Sequence, residues 1–293
     1  MESLQQRAQT LTEALPYLRR FRGSTIVIKY GGAAMVDADL RADVISDIVL
    51  LTLVGVQPVL VHGGGPEISE MMNRLGKKAS FVEGLRVTDA ETAEIAEMVL
   101  VGKTNQAIVT EACHQGARAI GLSGKDADLM VAKKAGSRQT KTHSKKAIDL
   151  GHVGEVEKVN PEVLETLAAS GYLPVIAPIG VGPKGETFNI NADHAAASIA
   201  VALKAEKLIL LTDAPGVLAD RSDPSSLVSE LSASKAKRMI STKQIDAGMI
   251  PKVRACLEAR SGGVEGCHII DGRLSHALLM ELFTDVGIGT MVR

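Results

Sequence analysis

The sequence predicts a three-layer α/β/α protein, in which an open and mainly parallel β-sheet lies between helices and a kinked helix precedes the first strand. Short β-branched runs that end in glycine alternate with helical segments along most of the 293 residues, as expected of parallel strands with crossover helices. Aromatic residues make up only 2% of the chain and apolar residues 45%. The core must therefore be aliphatic, which suits a sheet covered on both faces.

The first predicted element is an amphipathic helix over residues 3–21. Apolar residues recur there at spacings of three and four, which is the pattern of one helix face: Leu4, Ala8, Leu11, Leu15 and Leu18. Pro16 removes one helical hydrogen bond, so we expect a kinked helix or two short helices. Because this segment is not needed to complete the sheet, its apolar stripe requires another partner.

The next elements form a strand-helix-strand unit. Thr25–Lys29 and Pro58–His62 are predicted strands, and the helix predicted at 39–54 makes them parallel in one sheet. The later segments continue the alternation, in chain order: helices at 66–76, 90–100 and 103–115, strands at 118–122 and 128–133, a polar flap at 135–150, a helix at 161–170, a strand at 173–179, a helix at 192–204, a strand at 206–212, helices at 232–242 and 249–261, a strand at 266–271 and a helix at 275–283. We expect a division into residues 1–22, 23–180 and 181–293, with a soft boundary near residue 180.

Composition excludes several classes of function. The formal net charge of -1 gives no field that would gather nucleic acid or anionic lipid. No apolar run approaches the ~20 residues that span a bilayer, so a cytoplasmic protein is expected. The three cysteines, Cys113, Cys256 and Cys267, have no CxxC spacing and are expected to be small core residues rather than disulfide or zinc ligands.

Two glycine loops follow predicted strands, where open α/β sheets bind ligands. Lys29 ends the first strand and precedes Gly31-Gly32, so its cation would project into the crevice beside backbone N–H groups that can approach an anion. The second loop is His62–Pro66, whose proline suits the first turn of a helix with free N–H groups. Each loop on its own could also be an ordinary turn.

Other classes of enzyme fit these loops poorly. An HGGG sequence also supplies oxyanion-hole donors in esterases, but Gly121–Lys125 is the nearest match to their GxSxG elbow and lacks the final glycine. There is no GxxxxGK[ST] phosphate loop and no protein-kinase catalytic loop, and neither glycine loop forms the GxGxxG with a following acidic residue that a dehydrogenase requires.

Two later segments place charged residues at helix starts. Asp193 follows the alternating Asn189 and Asn191 near the start of a predicted helix, where it could also act as an ordinary cap. Lys252 lies just inside the helix predicted after Gly248. A cation is disfavoured at that end of the helix dipole, so an anionic partner is expected for it.

Together these motifs resemble the amino-acid kinase family. They occur in the order found in that family: Lys29 with Gly31-Gly32, His62–Gly65, Gly84–Thr88, Asn189–Asp193, Leu211–Asp213 with Gly216, and Gly248–Lys252. The Gly84–Thr88 and Asn189–Asp193 segments are most similar to those of the acetylglutamate kinases. The resemblance extends from about residue 10 to the C-terminus and implies the open α/β/α fold of this family.

The resemblance also implies residue roles. Residues 23–180 would bind N-acetyl-L-glutamate, and residues 181–293 would bind ATP with Mg²⁺, without protein ligands to the metal. Lys29 and Lys252 would neutralise the transferred phosphoryl group, with Asp193 orienting both lysines. The remaining contacts would divide into two sets: Gly64, Gly65, Arg86 and Asn189 for the acceptor, and Gly31, Gly32, Asp213 and Gly216 for ATP. A carboxylate acceptor is ionised near pH 7 and requires no general base, so His62 is expected to support its loop.

A regulated, oligomeric form is implied in the same way. The N-terminal helix resembles that of arginine-inhibited members, in which such helices interlace three dimers into a hexamer. His268, Glu281 and Gly287 would line the L-arginine site. Some relatives bind PII-type signalling proteins, for which this sequence gives no independent support.

Two alternatives stay open. One is another kinase of the family: glutamate 5-kinase, aspartokinase, carbamate kinase or uridylate kinase. The other is a non-catalytic arginine sensor, against which the intact Lys29, Asp193 and Lys252 argue.

Overall fold

A mainly parallel sheet covered by helices on both faces confirms the predicted fold class. The structure is a computed structural model and describes residues 3–32, 35, 37–82, 84–136, 138–139, 147–246 and 248–293. Residues 1–2 of the predicted N-terminal segment and residues 137 and 140–146 of the predicted flap lie outside the described residues. The flap's two ends, 138–139 and 147–148, pair as antiparallel strands.

The strands, in chain order, are β1 (Thr25–Tyr30), β2 (Gln57–His62), β3 (Phe81–Val82), β4 (Leu85–Arg86), β5 (Ala119–Ser123), β6 (Met130–Lys134), β7 (Arg138–Gln139), β8 (Ala147–Ile148), β9 (Val153–Val159), β10 (Leu173–Ala177), β11 (Ile179–Val181), β12 (Thr187–Ile190), β13 (Lys207–Thr212), β14 (Glu230–Leu231), β15 (Gly266–Asp271) and β16 (Thr290–Val292). The helices are α1 (Leu4–Glu13), α2 (Leu15–Phe21), α3 (Ala38–Leu53), α4 (Gly65–Arg74), α5 (Ala90–Glu97), α6 (Gln106–His114), α7 (Glu162–Ala169), α8 (Ala192–Ala202), α9 (Ala233–Ser241), α10 (Met249–Ser261) and α11 (Ala277–Leu282).

Among the described residues, the central sheet has eight strands in the order β14-β16-β15-β13-β1-β2-β10-β5. The six strands from β15 to β5 are parallel, and β16 runs antiparallel to β15. β1 lies between β2 and β13, as the first strand-helix-strand unit predicts for β2. The carboxyl ends of β1, β2 and β13 therefore meet at one edge of the sheet.

Side-chain alternation on the strands divides the core into two layers. Val27 of β1 packs on one face with α8 and α10, whereas Ile26 and Ile28 pack on the other with α3, α6 and α11. A smaller core joins α4 and α5 to the ends of β10 and β11 and includes Ile68 and Leu100. This third core lies directly beneath the pocket described below.

A closed four-stranded barrel, β11-β12-β9-β6, was not predicted. The strand expected at 173–179 divides at Pro178 into β10 of the sheet and β11 of the barrel, because proline has no N–H with which to continue a ladder. The strand expected at 128–133 also belongs to the barrel, as β6. β12 leads from the barrel directly into α8.

The N-terminal segment forms two short helices, one of the two forms predicted. α2 begins at Leu15, so that Pro16 occupies its first turn, where a missing N–H is tolerated. Phe21 is buried against the sheet, but Leu4 and Leu11 on α1 are 83% and 73% exposed. Within the described chain the apolar stripe of α1 is therefore largely uncovered.

Two further expectations were incomplete. The helices predicted at 90–100 and 103–115 are one continuous rod, because a π-helical segment, Met98–Asn105, joins α5 to α6. Cys256 and Cys267 are buried as expected, but Cys113 is exposed near the end of α6, so the expectation for it was wrong. None of the described helices combines the length and apolarity that crossing a membrane requires.

Candidate active site

The carboxyl ends of β1 and β13 border the point where the order of the sheet reverses. After β1 the chain adds β2, β5 and β10 on one side, and then returns to add β13 and β15 on the other. Open α/β sheets bind ligands in the crevice at such a point. Lys29 and Asp213 lie at the ends of these two strands.

A buried ion-pair cluster occupies this crevice. Asp193 Oδ1 lies 3.3 Å from Lys29 Nζ, and Asp193 Oδ2 lies 2.9 Å from Lys252 Nζ. The side chains of Asp193 and Lys29 are 6% and 9% exposed. Three residues that are distant in sequence thus form one cluster with one carboxylate between two ammonium groups.

Burial and neighbouring charge act against each other in this cluster. Burial by itself would raise the pKa of Asp193, but the charges of Lys29 and Lys252 outweigh it and hold the carboxyl pKa below its usual value. Burial lowers the pKa of Lys29; the Asp193 charge partly offsets this, while the Lys252 charge adds to it. Asp193 is therefore the anion that permits two cations to share the crevice.

Local sequence signals explain how Asp193 and Lys252 are placed. Asn191 is the N-cap of α8, and its Oδ1 accepts hydrogen bonds from Asp193 N–H and His194 N–H at 3.0 and 3.1 Å. Asp193 is therefore in the first turn rather than the cap, and its carboxylate is free to face the lysines. Lys252 lies in the first turn of α10, and Asp193 is the anionic partner that its position suggested.

The two glycine loops lie close to charged or apolar groups. Gly32 has a φ of +76°, and a Cβ there would overlap the Asp213 carboxylate. At Gly31 a Cβ would come within 2.5 Å of Lys29 Nζ. Gly64, with a φ of +153°, packs against Leu100 with no room for a side chain. Glycine at these positions lets the backbone approach the crevice closely.

A pocket of about 180 Å³ adjoins the glycine loop that follows β2. It brings together all four residues that the sequence assigned to the acceptor: Gly64, Gly65, Arg86 and Asn189. Asn191 also lines it, one residue before α8 begins. The pocket and the ion-pair cluster therefore share the start of α8.

Arg86 is buried, with 6% of its surface exposed. Its Nη2 donates to Gly65 O and to Ser69 Oγ, both at 2.7 Å, and its guanidinium lies over the Phe81 ring at 4.7 Å. Within the described residues it has no carboxylate partner, and burial lowers its pKa. These contacts exclude a merely solvated arginine and hold a cation at the pocket wall.

The residues assigned to arginine binding form a second cluster at β13 and β15. His268 Nδ1 lies 2.5 Å from Glu281 Oε1, and Lys207 Nζ lies 2.9 Å from His268 Nε2. Burial would raise the pKa of Glu281, but the His268 contact outweighs it, and Ile288 N–H donates to the carboxylate at 2.9 Å. A Cβ on Gly287 would lie 3.4 Å from both Glu281 oxygens, so the loop packs on this carboxylate.

Gly216, which the sequence analysis assigned to ATP binding, is positioned by packing and does not contact the ion-pair cluster among the residues nearest to it. Gly216 has no room for a side chain beside Thr290, whose Oγ1 accepts from Val217 N–H at 2.8 Å. The loop after β13 is thereby fastened to β16. Sequence reasoning also missed Phe81, Ser69 and Lys207; only Lys207 carried a signal, as a cation at the start of an apolar strand.

Comparison with known proteins agrees with this geometry. Residues 24–271 match the model of the amino acid kinase family. The chain is 56% identical to an acetylglutamate kinase of Moorella thermoacetica, over 96% of this chain and 95% of that protein. It is 58% identical to an acetylglutamate kinase of Symbiobacterium thermophilum, over 98% of this chain and 97% of that protein.

Solved structures give the same fold. An N-acetylglutamate synthase from Neisseria gonorrhoeae, complexed with coenzyme A and N-acetyl-glutamate, has a TM-score of 0.83 and 27% identity. The match covers 99% of this chain, which spans 63% of the length of that protein. A carbamate kinase from Giardia has a TM-score of 0.66 at 19% identity, over 92% of this chain and 98% of that one, and supports the fold alone.

We expect Asp193→Asn to lower the free energy of unfolding by about 3 kcal/mol, because it leaves buried ammonium groups without their anion. In a Lys29→Met background the cost should be smaller by at least about 1 kcal/mol, since one of those ammonium groups is gone. Urea unfolding at pH 7.5 measures both.

The matched control is an exposed pair, Lys133 and Glu157, whose Nζ and Oε1 are 3.6 Å apart. The same cycle with Glu157→Gln and Lys133→Met should give a coupling of about 0–1 kcal/mol. Additive costs for Asp193→Asn and Lys29→Met would contradict the buried cluster.

Proposed function

The chain belongs to the amino acid kinase family, and we propose that it catalyses the acetylglutamate kinase reaction, transfer of the γ-phosphoryl group of ATP to the side-chain carboxylate of N-acetyl-L-glutamate. The observation that carries the proposal is Asp193 between Lys29 and Lys252, next to a pocket with one buried arginine. The names of the relatives support the same reaction.

The cluster suits phosphoryl transfer because this reaction depends on alignment and on neutralising charge. The acceptor carboxylate attacks the γ-phosphorus, the bond to the β-phosphate oxygen breaks, and ADP leaves as an acyl phosphate forms. Lys29 and Lys252 stabilise negative charge on the transferred group, and Asp193 holds both ammonium groups in place. The ionised acceptor supplies its own electron pair, so no proton has to be removed.

The pocket supplies the contacts expected for the acceptor. None of the described carboxylates pairs with Arg86, and its planar fork suits a second carboxylate of the substrate. Asn189 and the backbone of Gly64 and Gly65 offer hydrogen bonds to the rest of the molecule. This arrangement keeps the reacting carboxylate of acetylglutamate toward the lysines.

ATP would bind on the opposite side of the cluster, to the loops that contain Gly31, Gly32, Asp213 and Gly216. We assign residues 23–180 to the acceptor and 181–293 to ATP. Mg²⁺ would be held largely by ATP phosphates and water. Its chemistry is to neutralise phosphate charge.

We also propose that L-arginine inhibits the enzyme, as suits an enzyme of arginine biosynthesis in the cytoplasm. Glu281 offers a carboxylate for a guanidinium, and Lys207 lies beside it as a cation for the ligand's own carboxylate. Tyr17 on α2 donates a hydrogen bond to Asp285 in the adjoining loop, so the N-terminal segment contacts this region. A PII-type partner is not supported by any of these contacts.

The uncovered stripe on α1 supports assembly through N-terminal helices. Leu4 and Leu11 are largely exposed, and an apolar helix face in water requires a partner. We propose interlaced α1 helices that join three dimers into a hexamer.

The acceptor is tested by a coupled assay for ADP release with Mg-ATP and acetylglutamate, glutamate, aspartate or carbamate, each with and without arginine. We expect activity with acetylglutamate and inhibition by arginine. Activity with glutamate but not acetylglutamate would overturn the proposed substrate, and no activity with any acceptor would favour a non-catalytic sensor.

Arg86→Lys should raise KM for acetylglutamate by about 10-fold or more, because lysine cannot make two parallel hydrogen bonds to a carboxylate. KM for ATP should change much less. Arg118→Lys is the matched control, since Arg118 stacks on Tyr172 at 4.0 Å, at the other end of β5 from the site. Equal effects of Arg86→Lys on the two KM values would count against this role.

Deletion of residues 1–20 should convert hexamers into active dimers and weaken arginine inhibition, because it removes α1 and the Tyr17 contact. Light scattering and the coupled assay measure the two effects. Leu4→Glu with Leu11→Glu should also dissociate the ring, whereas Gln6→Glu with Thr10→Glu, on the opposite face of α1, should not. An unchanged hexamer after deletion would refute the interlaced arrangement.

A further inference from the structure

His62 is a buried titratable group that the phosphoryl-transfer step itself does not use. His62, the last residue of β2, is fully buried directly before the glycine loop. It has two polar neighbours: its Nδ1 lies 2.7 Å from Gly63 O, and its Nε2 lies 3.2 Å from Asn105 Nδ2. Both ring nitrogens are therefore within hydrogen-bonding distance of a defined partner.

Asn105 is held in a specialised place. It ends the π-helical segment Met98–Asn105, a kind of irregularity that is frequent at functional sites, and is 1% exposed. Its Nδ2 also donates to Val175 O of β10 at 2.8 Å. Gly121 on β5 leaves space for the amide, because a Cβ there would overlap Asn105 Oδ1.

These contacts determine the tautomer of His62. A backbone carbonyl can only accept, so the Asn105 atom that faces Val175 O must be the amide nitrogen. The same nitrogen faces His62 Nε2, which must then be the acceptor. The ring proton is therefore on Nδ1, which donates to Gly63 O.

The imidazole is neutral in this arrangement. Burial lowers the pKa of His62 to about 4, so that a proton on Nε2 is absent near pH 7. A protonated ring would also place an N–H donor against the Asn105 amide donor. In the series of hydrogen bonds from Val175 O through Asn105 and His62 to Gly63 O, each donor and each acceptor is thus fixed.

This series of hydrogen bonds sets the orientation of the peptide unit between Gly63 and Gly64. In a trans peptide the C=O and N–H bonds point to opposite sides, and Gly63 O is turned toward the buried His62 ring. Gly64 N–H, in the same unit, therefore points away from that ring, on the side where Gly63 and Gly64 line the pocket. Among the hydrogen bonds of the described residues, none uses Gly64 N–H.

We propose that His62 and Asn105 are positioning residues, which hold the Gly63–Gly64 peptide so that Gly64 N–H is directed at the phosphoryl group during transfer. The inference rests on the kinase function proposed above. It differs from a general packing role, because it depends on a donor at Nδ1 and not merely on a side chain of the right volume.

Two substitutions separate the donor from the volume. His62→Asn places an amide near Nδ1 and can still donate to Gly63 O, whereas His62→Gln extends its amide toward the Nε2 position and leaves Gly63 O without a donor. Removing one preorganised N–H donor to developing charge typically lowers kcat by about 10²–10³. Since the donor here is only misdirected, we expect a loss of about 10–100-fold for His62→Gln, and a loss within about 3-fold for His62→Asn.

The two KM values and the thermal unfolding midpoints should differ little between these variants. Equal kcat values for His62→Asn and His62→Gln would overturn the inference, as would a loss confined to KM or to stability. These results can be distinguished from failure of the proposed function, which would appear as a wild-type chain inactive with acetylglutamate.

A spectroscopic measurement on the wild-type protein tests the His62 hydrogen bonds even if a His62 variant fails to fold. Nitrogen-15 spectra of the histidine side chains at pH 7.5 should show His62 with a protonated Nδ1 and an unprotonated Nε2. Single variants of the other histidines assign the signals by elimination. A proton on Nε2, alone or together with Nδ1, would overturn the proposed orientation of Gly64 whatever the kinetics.

Discussion

The site depends on the contact between one buried carboxylate, that of Asp193, and the ammonium groups of Lys29 and Lys252. Moving any of these three charges out of water is costly, and the cost is offset only if all three meet with good geometry. Asp193 lies at 3.3 and 2.9 Å from the two lysines, and the cluster keeps an excess of one positive charge. That excess is what a phosphoryl group and a carboxylate acceptor need when they approach each other, even though the chain as a whole has a formal charge of -1.

The three members of the cluster come from three separate elements, one at a strand end and two at helix starts. Lys29 is near the end of a parallel strand, Asp193 is in the first turn of α8, and Lys252 is in the first turn of α10. The position of Lys252 is unfavourable for a cation by itself, so its nearby carboxylate offsets a local conflict between helix dipole and charge. Such local conflicts are expected where function competes with stability.

Local patterns predicted the parallel sheet and the positions of Lys29, Asp193 and Lys252 at strand and helix ends, whereas the roles of Arg86 and Asn189 were inferred from resemblance to the family. β-branched runs before glycine mark β1 and β2, and helix-start signals place Asp193 and Lys252. The barrel was missed because β9 contains Glu155, Glu157 and Lys158 among its seven residues and lacks the apolar pattern of a buried strand. Asn105 could not be found either, since its partners Val175 and His62 meet it only after β2, β10 and the π-helical segment have packed together.

The two clusters of charged residues are connected by the same pair of strands. Lys207 begins β13 and Asp213 directly follows its end; on the neighbouring β15, His268 pairs in register with Ile209, and Asp271 pairs with Thr212. Buried, fully paired strands transmit displacement because a close-packed core has little compressibility. A ligand that repositioned Lys207 or His268 would therefore act on strands whose other ends border the crevice that holds Lys29 and Asp193. The proposed regulation by arginine would require no separate relay, because β13 and β15 already join the two clusters.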